Sequence, residues 1–115
     1  AEWKGMTGTR KGFVEFIDQE HAIRAWLVLM RNYRRQYGCD SIRKIVTRFA
    51  PPSENNTANY IQFCAKEVGT LADNRLERYT EYAMLAVAMA RMETSVKLTW
   101  PQVMEVMKEF NVYPF

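Results

Sequence analysis

Carboxylates are the residues of this sequence with the clearest capacity for chemistry. Glycosidic bond cleavage needs one acid to protonate the leaving oxygen and a second group to stabilise the cation or activate water, and three glutamates stand where such roles are credible. Glu93 follows the most apolar segment, in "MARMETS", so it emerges from surroundings that favour the protonated form and suit a general acid; the plainer reading is a helix-terminal glutamate in water. Glu20 falls in the first turn of a helix, where the helix dipole alone explains a negative charge. Glu54 lies in a polar loop with Ser53, Asn55 and Asn56, and is equally well a solvated loop residue. Glu93 and Glu20 are the candidate catalytic residues; Glu54, Asn55, Asn56 and Tyr60 are the candidate ligand-binding residues.

Other chemistries find less support. The single histidine, His21, has no serine or cysteine near it in sequence, which argues against a nucleophilic triad. Five scattered glycines form no phosphate-cradling loop. Cys39 and Cys64 have neither metal-ligand spacing nor a disulfide framework, and two free thiols are the expected state. No cofactor or metal is expected. Trp3, Tyr60, Trp100 and Tyr113 are aromatic enough to stack on sugar rings, although aromatics at helical spacing more often fill a core.

These residues must be positioned by helices. Asp18 caps a segment whose apolar residues Ala22, Ala25, Trp26, Leu29, Met30 and Tyr33 share one face, and Gly38 closes it after Tyr37. Asp40 or Ser41 starts a short second helix with Ile42, Ile45, Val46 and Phe49 inward, ended by Pro51-Pro52. Asn56 or Thr57 starts a third, with Tyr60, Ile61, Cys64, Ala65 and Val68 inward, and Gly69 closes it. The connection "TLADNRLERYT" has room for a helical turn. A fourth helix from about Glu81 to Glu93 is apolar all round and is expected at the centre. Thr99 and Gln102 form a capping box with Pro101 between them, opening a fifth helix that buries Val103, Met104, Val106, Met107 and Phe110. Residues 1–17, with "TGTRKG" between two short extended pieces, read as a small β-hairpin.

The fold expected is therefore mainly α, one domain of 115 residues with about five helices and a small N-terminal hairpin; 48% hydrophobic residues suffice for one core. No apolar run reaches the ~18 residues of a membrane span, and no basic-then-apolar leader opens the sequence, so it reads as a water-soluble domain.

Charge is uneven. Residues 1–50 hold ten Lys/Arg against five Asp/Glu, and residues 51–115 hold six against eight, a split of +5 and −2. Arg31, Arg34, Arg35, Arg43 and Lys44 compose a basic face on the first two helices. It is read either as a solvated helix face or as a docking surface for a protein partner, an anionic cell-wall polymer or, less readily, nucleic acid, since exposed aromatics do not interleave with it.

A wider pattern joins these pieces. Gly12-Phe13, Phe16, Asp18, Glu20, Arg24-Ala25, Tyr33, Ile42, Ile45, Arg48, Ala50-Pro51-Pro52, Glu54-Asn55, Thr57, Tyr60-Ile61 and Gly69 resemble a family of phage and prophage proteins labelled virion structural proteins. The resemblance covers about residues 3–69, and Ala-Pro-Pro-x-Glu-Asn is its most specific part. His21-Ala22 departs from the family's usual Ala-Gly. Further on, "AVAMARMET" resembles the Glu-terminated helix of lysozyme-like transglycosylases. Together these imply a lysozyme-like helical fold and a phage- or prophage-derived, virion-associated domain that binds or cleaves bacterial peptidoglycan, found in the virion or in the bacterial cytoplasm before release. The alternative is a non-enzymatic structural module docking on a protein or nucleic acid through its basic helices.

Overall fold

A computed structural model describes residues 18–53 and 55–115. The hairpin expected over residues 1–17 and the candidate Glu54 lie outside them. Five helices run in order: α1 (Gln19–Tyr37), α2 (Ile42–Phe49), α3 (Thr57–Val68), α4 (Tyr79–Glu93) and α5 (Trp100–Phe110). Among the described residues the sole β-type pairing is an isolated antiparallel bridge between Ser41 and Arg75. Their principal contacts pass from α2 to α3, α3 to α4, α4 to α5 and α5 to α1. The radius of gyration, 12.9 Å, matches the roughly 13 Å of one globular body of this size.

Helix ends follow local chemistry. Asp18 accepts from the His21 amide at the start of α1, Ser41 from Lys44 at α2, and Asn56 from Asn59 at α3. Gly38 closes α1 with φ of 67°, a left-handed conformation that costs a residue with a Cβ; there Cys39 N donates to Tyr33 O at 3.0 Å. The capping box of α5 forms between Thr99 and Gln102.

Helix α4 begins at Tyr79, two residues before the expected start. The reason is the Glu81 carboxylate, whose Oε1 reaches back to accept from the amides of Glu77 (2.9 Å) and Arg78 (3.1 Å). Two otherwise orphaned donors are thereby satisfied by a residue already inside the helix. Tyr82, Ala83, Leu85, Ala86, Ala88, Met89 and Ala90 are all fully buried. Four of these are alanines, which let α3 and α5 approach closely on different sides of one helix. Leu85 and Met89 each contribute about 1.5–3 kcal/mol by leaving water. The central placement of this helix agrees with its sequence.

The connection from Gly69 to Arg78 holds turns instead of a helical segment. It is fastened to the α1–α2 corner, where Leu76 N donates to Asp40 O (2.8 Å) and Arg43 N to Ala72 O (3.0 Å). Leu76 is thereby buried, while Leu71 stays 71% exposed.

Arg34 is bound into this framework and does not stand on an open basic face. Its Nη1 donates to the Leu76 carbonyl (2.6 Å) and the Tyr82 hydroxyl (3.1 Å), and its guanidinium lies 4.4 Å from the centre of the Phe115 ring. One side chain thus ties α1 to the 69–78 connection, α4 and the segment after α5. Phe115 also packs on Tyr79 (5.0 Å) and Tyr82 (5.5 Å), completing an aromatic cluster that includes Tyr113.

Candidate functional site

Glu93 is the last residue of α4 and is half-buried. The helix stops there because Thr94 takes an extended conformation and its hydroxyl turns back to the Ala90 carbonyl (3.0 Å) while accepting from Val96 N (2.8 Å). Tyr60 stands on the inward face of α3, one turn in from the Asn56 cap. The α3–α4 packing brings the two together: Tyr60 Oη donates to Glu93 Oε2 across 3.0 Å.

The electrostatics of this pair favour a lasting donor. Burial pushes the Tyr60 phenol well above its ordinary range, and the nearby Glu93 charge pushes it further. Both effects hold Tyr60 in its protonated, donating form. Its hydroxyl fixes the orientation of a carboxylate that would otherwise rotate freely at a helix end. One turn along α3, burial drives the Cys64 thiol up to about 12, with a smaller push from Glu67, so this sulfur is inert as a nucleophile. Cys39 and Cys64 are both free and buried.

The loop entering α3 is held by its own side chains. Thr57, buried, donates its hydroxyl to the Ala50 carbonyl, and Asn55 Nδ2 donates to the Pro51 carbonyl at 3.2 Å. These bonds close the two-proline segment over the start of the helix. Of the candidate ligand contacts, Asn55 and Asn56 thus serve the backbone around them, and Tyr60 serves Glu93.

Glu20 is placed elsewhere. It is exposed in the first turn of α1, beside Glu109 on the last turn of α5, whose carboxyl is raised above the ordinary range chiefly by the Glu20 charge. Neighbouring Asp18 is held below its usual value by the His21 amide and, next, by the His21 ring, whose Nδ1 lies 2.9 Å from Oδ1.

The remaining basic residues differ in their freedom. Arg43 pairs with Asp73 at 2.6 Å and Lys44 with Asp40 at 3.4 Å, both at the surface. Arg31 is half-buried and Arg35 exposed. Arg48 stacks 3.4 Å over the ring centre of Tyr37, which is 54% exposed, so one aromatic does interleave with the basic face.

A separate groove lies where α3, α4 and the start of α5 meet. It has a volume of about 330 Å³ and is lined by Glu67, Met84, Val87, Thr99, Trp100 and Pro101. Trp100 is 45% exposed there, and Glu67, contributed by α3, sits 3.7 Å from Arg91. Tyr113, by contrast, is half-buried against Tyr79 at 4.9 Å. Glu67 escaped the sequence reading because nothing in "CAKEVG" marks its carboxylate as facing a groove; its neighbours there come from two other helices.

Over 95 residues, 81% of its length, the chain is 38% identical to "Protein P5" of Pseudoalteromonas phage PM2. The chain is related to a phage protein. It spans 59% of the length of that relative. No protein-family profile matches the chain. No helix among the described residues is long and apolar enough to cross a membrane.

Proposed function

We propose that this phage-derived chain is a virion-associated domain with a lysozyme-like helical fold that acts on bacterial peptidoglycan, with Glu93 as the general acid. The observation that carries this reading is the Tyr60–Glu93 hydrogen bond of 3.0 Å at the end of the buried central helix. General acid catalysis of glycosidic cleavage requires a carboxyl group oriented toward the leaving oxygen and partly withdrawn from water. The Tyr60 donor favours the charged carboxylate, so the acid role rests on half-burial and a rigid helical root, with Oε1 left free of Tyr60 to carry the proton. Tyr60 is then a positioning residue. Glu20, exposed beside Glu109, has no comparable restraint. Release of soluble fragments from labelled peptidoglycan by the wild-type protein and by Glu93→Gln tests the proposal.

A second reading, a non-enzymatic module that docks on a virion protein or a polyanion, is favoured by one observation: the exposed Arg48–Tyr37 stack, an aromatic on the basic face. It predicts partner capture that weakens with salt and with Arg35→Glu plus Arg48→Glu, while fragment release is absent.

A further inference from the structure

We infer that the groove between α3, α4 and α5 is a binding subsite for an N-acetylhexosamine unit, with Trp100 as its stacking platform. This rests on the cell-wall reading above and extends it to a second place on the molecule. The chemistry of the lining is the argument. A pyranose presents an apolar face of C–H groups and a rim of hydroxyls, so it needs an exposed aromatic plane beside fixed polar groups. Trp100 is the one tryptophan exposed among the described residues, and its indole borders the groove at the first turn of α5. Proline at the second position of that helix and the Thr99–Gln102 capping box hold its backbone rigid.

The lining also holds Glu67, a hydroxyl acceptor from α3 whose carboxylate is paired with Arg91 at 3.7 Å, and Thr99, whose hydroxyl adds a second polar group. The α4 part of the lining is apolar: Met84 and Val87, both half-buried on one face of that helix, offer a surface for the methyl of an acetamido group. A plain hexose has nothing to place on that surface. The volume, about 330 Å³, lies at the small end of the roughly 300–1,000 Å³ typical of small-ligand sites, which suits a single sugar ring rather than an extended chain. Such a mix of apolar lining and a few placed polar groups is the usual make-up of a small-molecule site.

The test is a titration of the full chain, followed by the Trp100 indole N–H and the Met84 and Val87 methyl signals in NMR spectra, with chitotetraose and with cellotetraose as probes. Chitotetraose is expected to shift all three signals saturably and cellotetraose to shift them at least several-fold more weakly. Trp100→Phe is expected to weaken binding and Trp100→Ala to abolish it, with Glu67→Gln giving an intermediate loss. Signals unmoved by millimolar chitotetraose, or moved equally by the two probes, overturn the inference. Failure of the cell-wall enzyme reading is told apart by the same titration: saturable shifts in a protein that releases no peptidoglycan fragments uphold the subsite and remove catalysis, whereas fragment release without shifts does the reverse.

Discussion

Tyr60 on α3 and Glu93 at the end of α4 lie 33 residues apart in sequence and share one hydrogen bond of 3.0 Å. The bond couples the loop that starts α3 to the end of the central helix, so a change at either residue is felt at both. Tyr60→Phe removes the donor and keeps the ring. It is expected to cost about 1–3 kcal/mol in urea denaturation, since a half-buried carboxylate loses its neutral donor. If Tyr60 positions Glu93, fragment release falls in kcat with KM nearly constant; an unchanged kcat would assign the bond to stability alone.

Arg34 is expected to behave as a brace. Arg34→Ala loses two charge-assisted bonds and the Phe115 stack, which should destabilise the fold by about 2–4 kcal/mol. Arg35→Ala, on an exposed position of the same helix, should stay within about 0.5 kcal/mol. Equilibrium unfolding of the two variants makes the comparison. It also explains why charge reversal at Arg34 is a poor probe of a basic docking face.

Thr57→Val keeps the shape of a buried side chain and removes its hydroxyl. The Ala50 carbonyl then loses its side-chain partner, for an expected cost of about 1–3 kcal/mol. Amide hydrogen exchange should rise in the first turn of α3 more than in α5.

The Glu20–Glu109 contact gives a pH dependence of known sign. Glu109 is raised above the ordinary carboxylate range by the Glu20 charge first and by burial second. The folded protein therefore holds that proton more tightly than the unfolded chain does, and the repulsion is a penalty fully present above the raised value. It disappears as pH falls below the ordinary carboxylate range. Glu109→Gln should raise Tm at neutral pH and lose that advantage in acid, as differential scanning calorimetry at the two pH values would show.

Much of the fold was legible because helix ends carry local signals. Asp18, Gly38, Ser41, Asn56, Gly69 and the Thr99–Gln102 pair all act where their chemistry places them. The start of α4 was misplaced because its cap is a glutamate reaching backward, which lacks the usual Ser/Thr signature. The path of the 69–78 connection is not legible in the sequence because its partners, Asp40 and Arg43, lie some thirty residues upstream, and periodicity carries no such information. The site shows the same division. The half-burial of Glu93 agrees with the apolar run before it and the inward placement of Tyr60 with its helical spacing, but nothing in the sequence announces their hydrogen bond. Arg34 read as one basic residue among several, since the carbonyl and hydroxyl that hold it are 42 and 48 residues away.

The most direct measurement is the release of soluble muropeptides from purified, labelled peptidoglycan by the wild-type chain and by Glu93→Gln at equal concentration, with Tm recorded for both. The expected result is time-dependent release by the wild type, loss of that release by at least a hundredfold in Glu93→Gln, and similar thermal stability. Release by Glu93→Gln at the wild-type rate, or intact peptidoglycan after incubation with the folded wild-type protein, would contradict the assignment of Glu93 as a general acid.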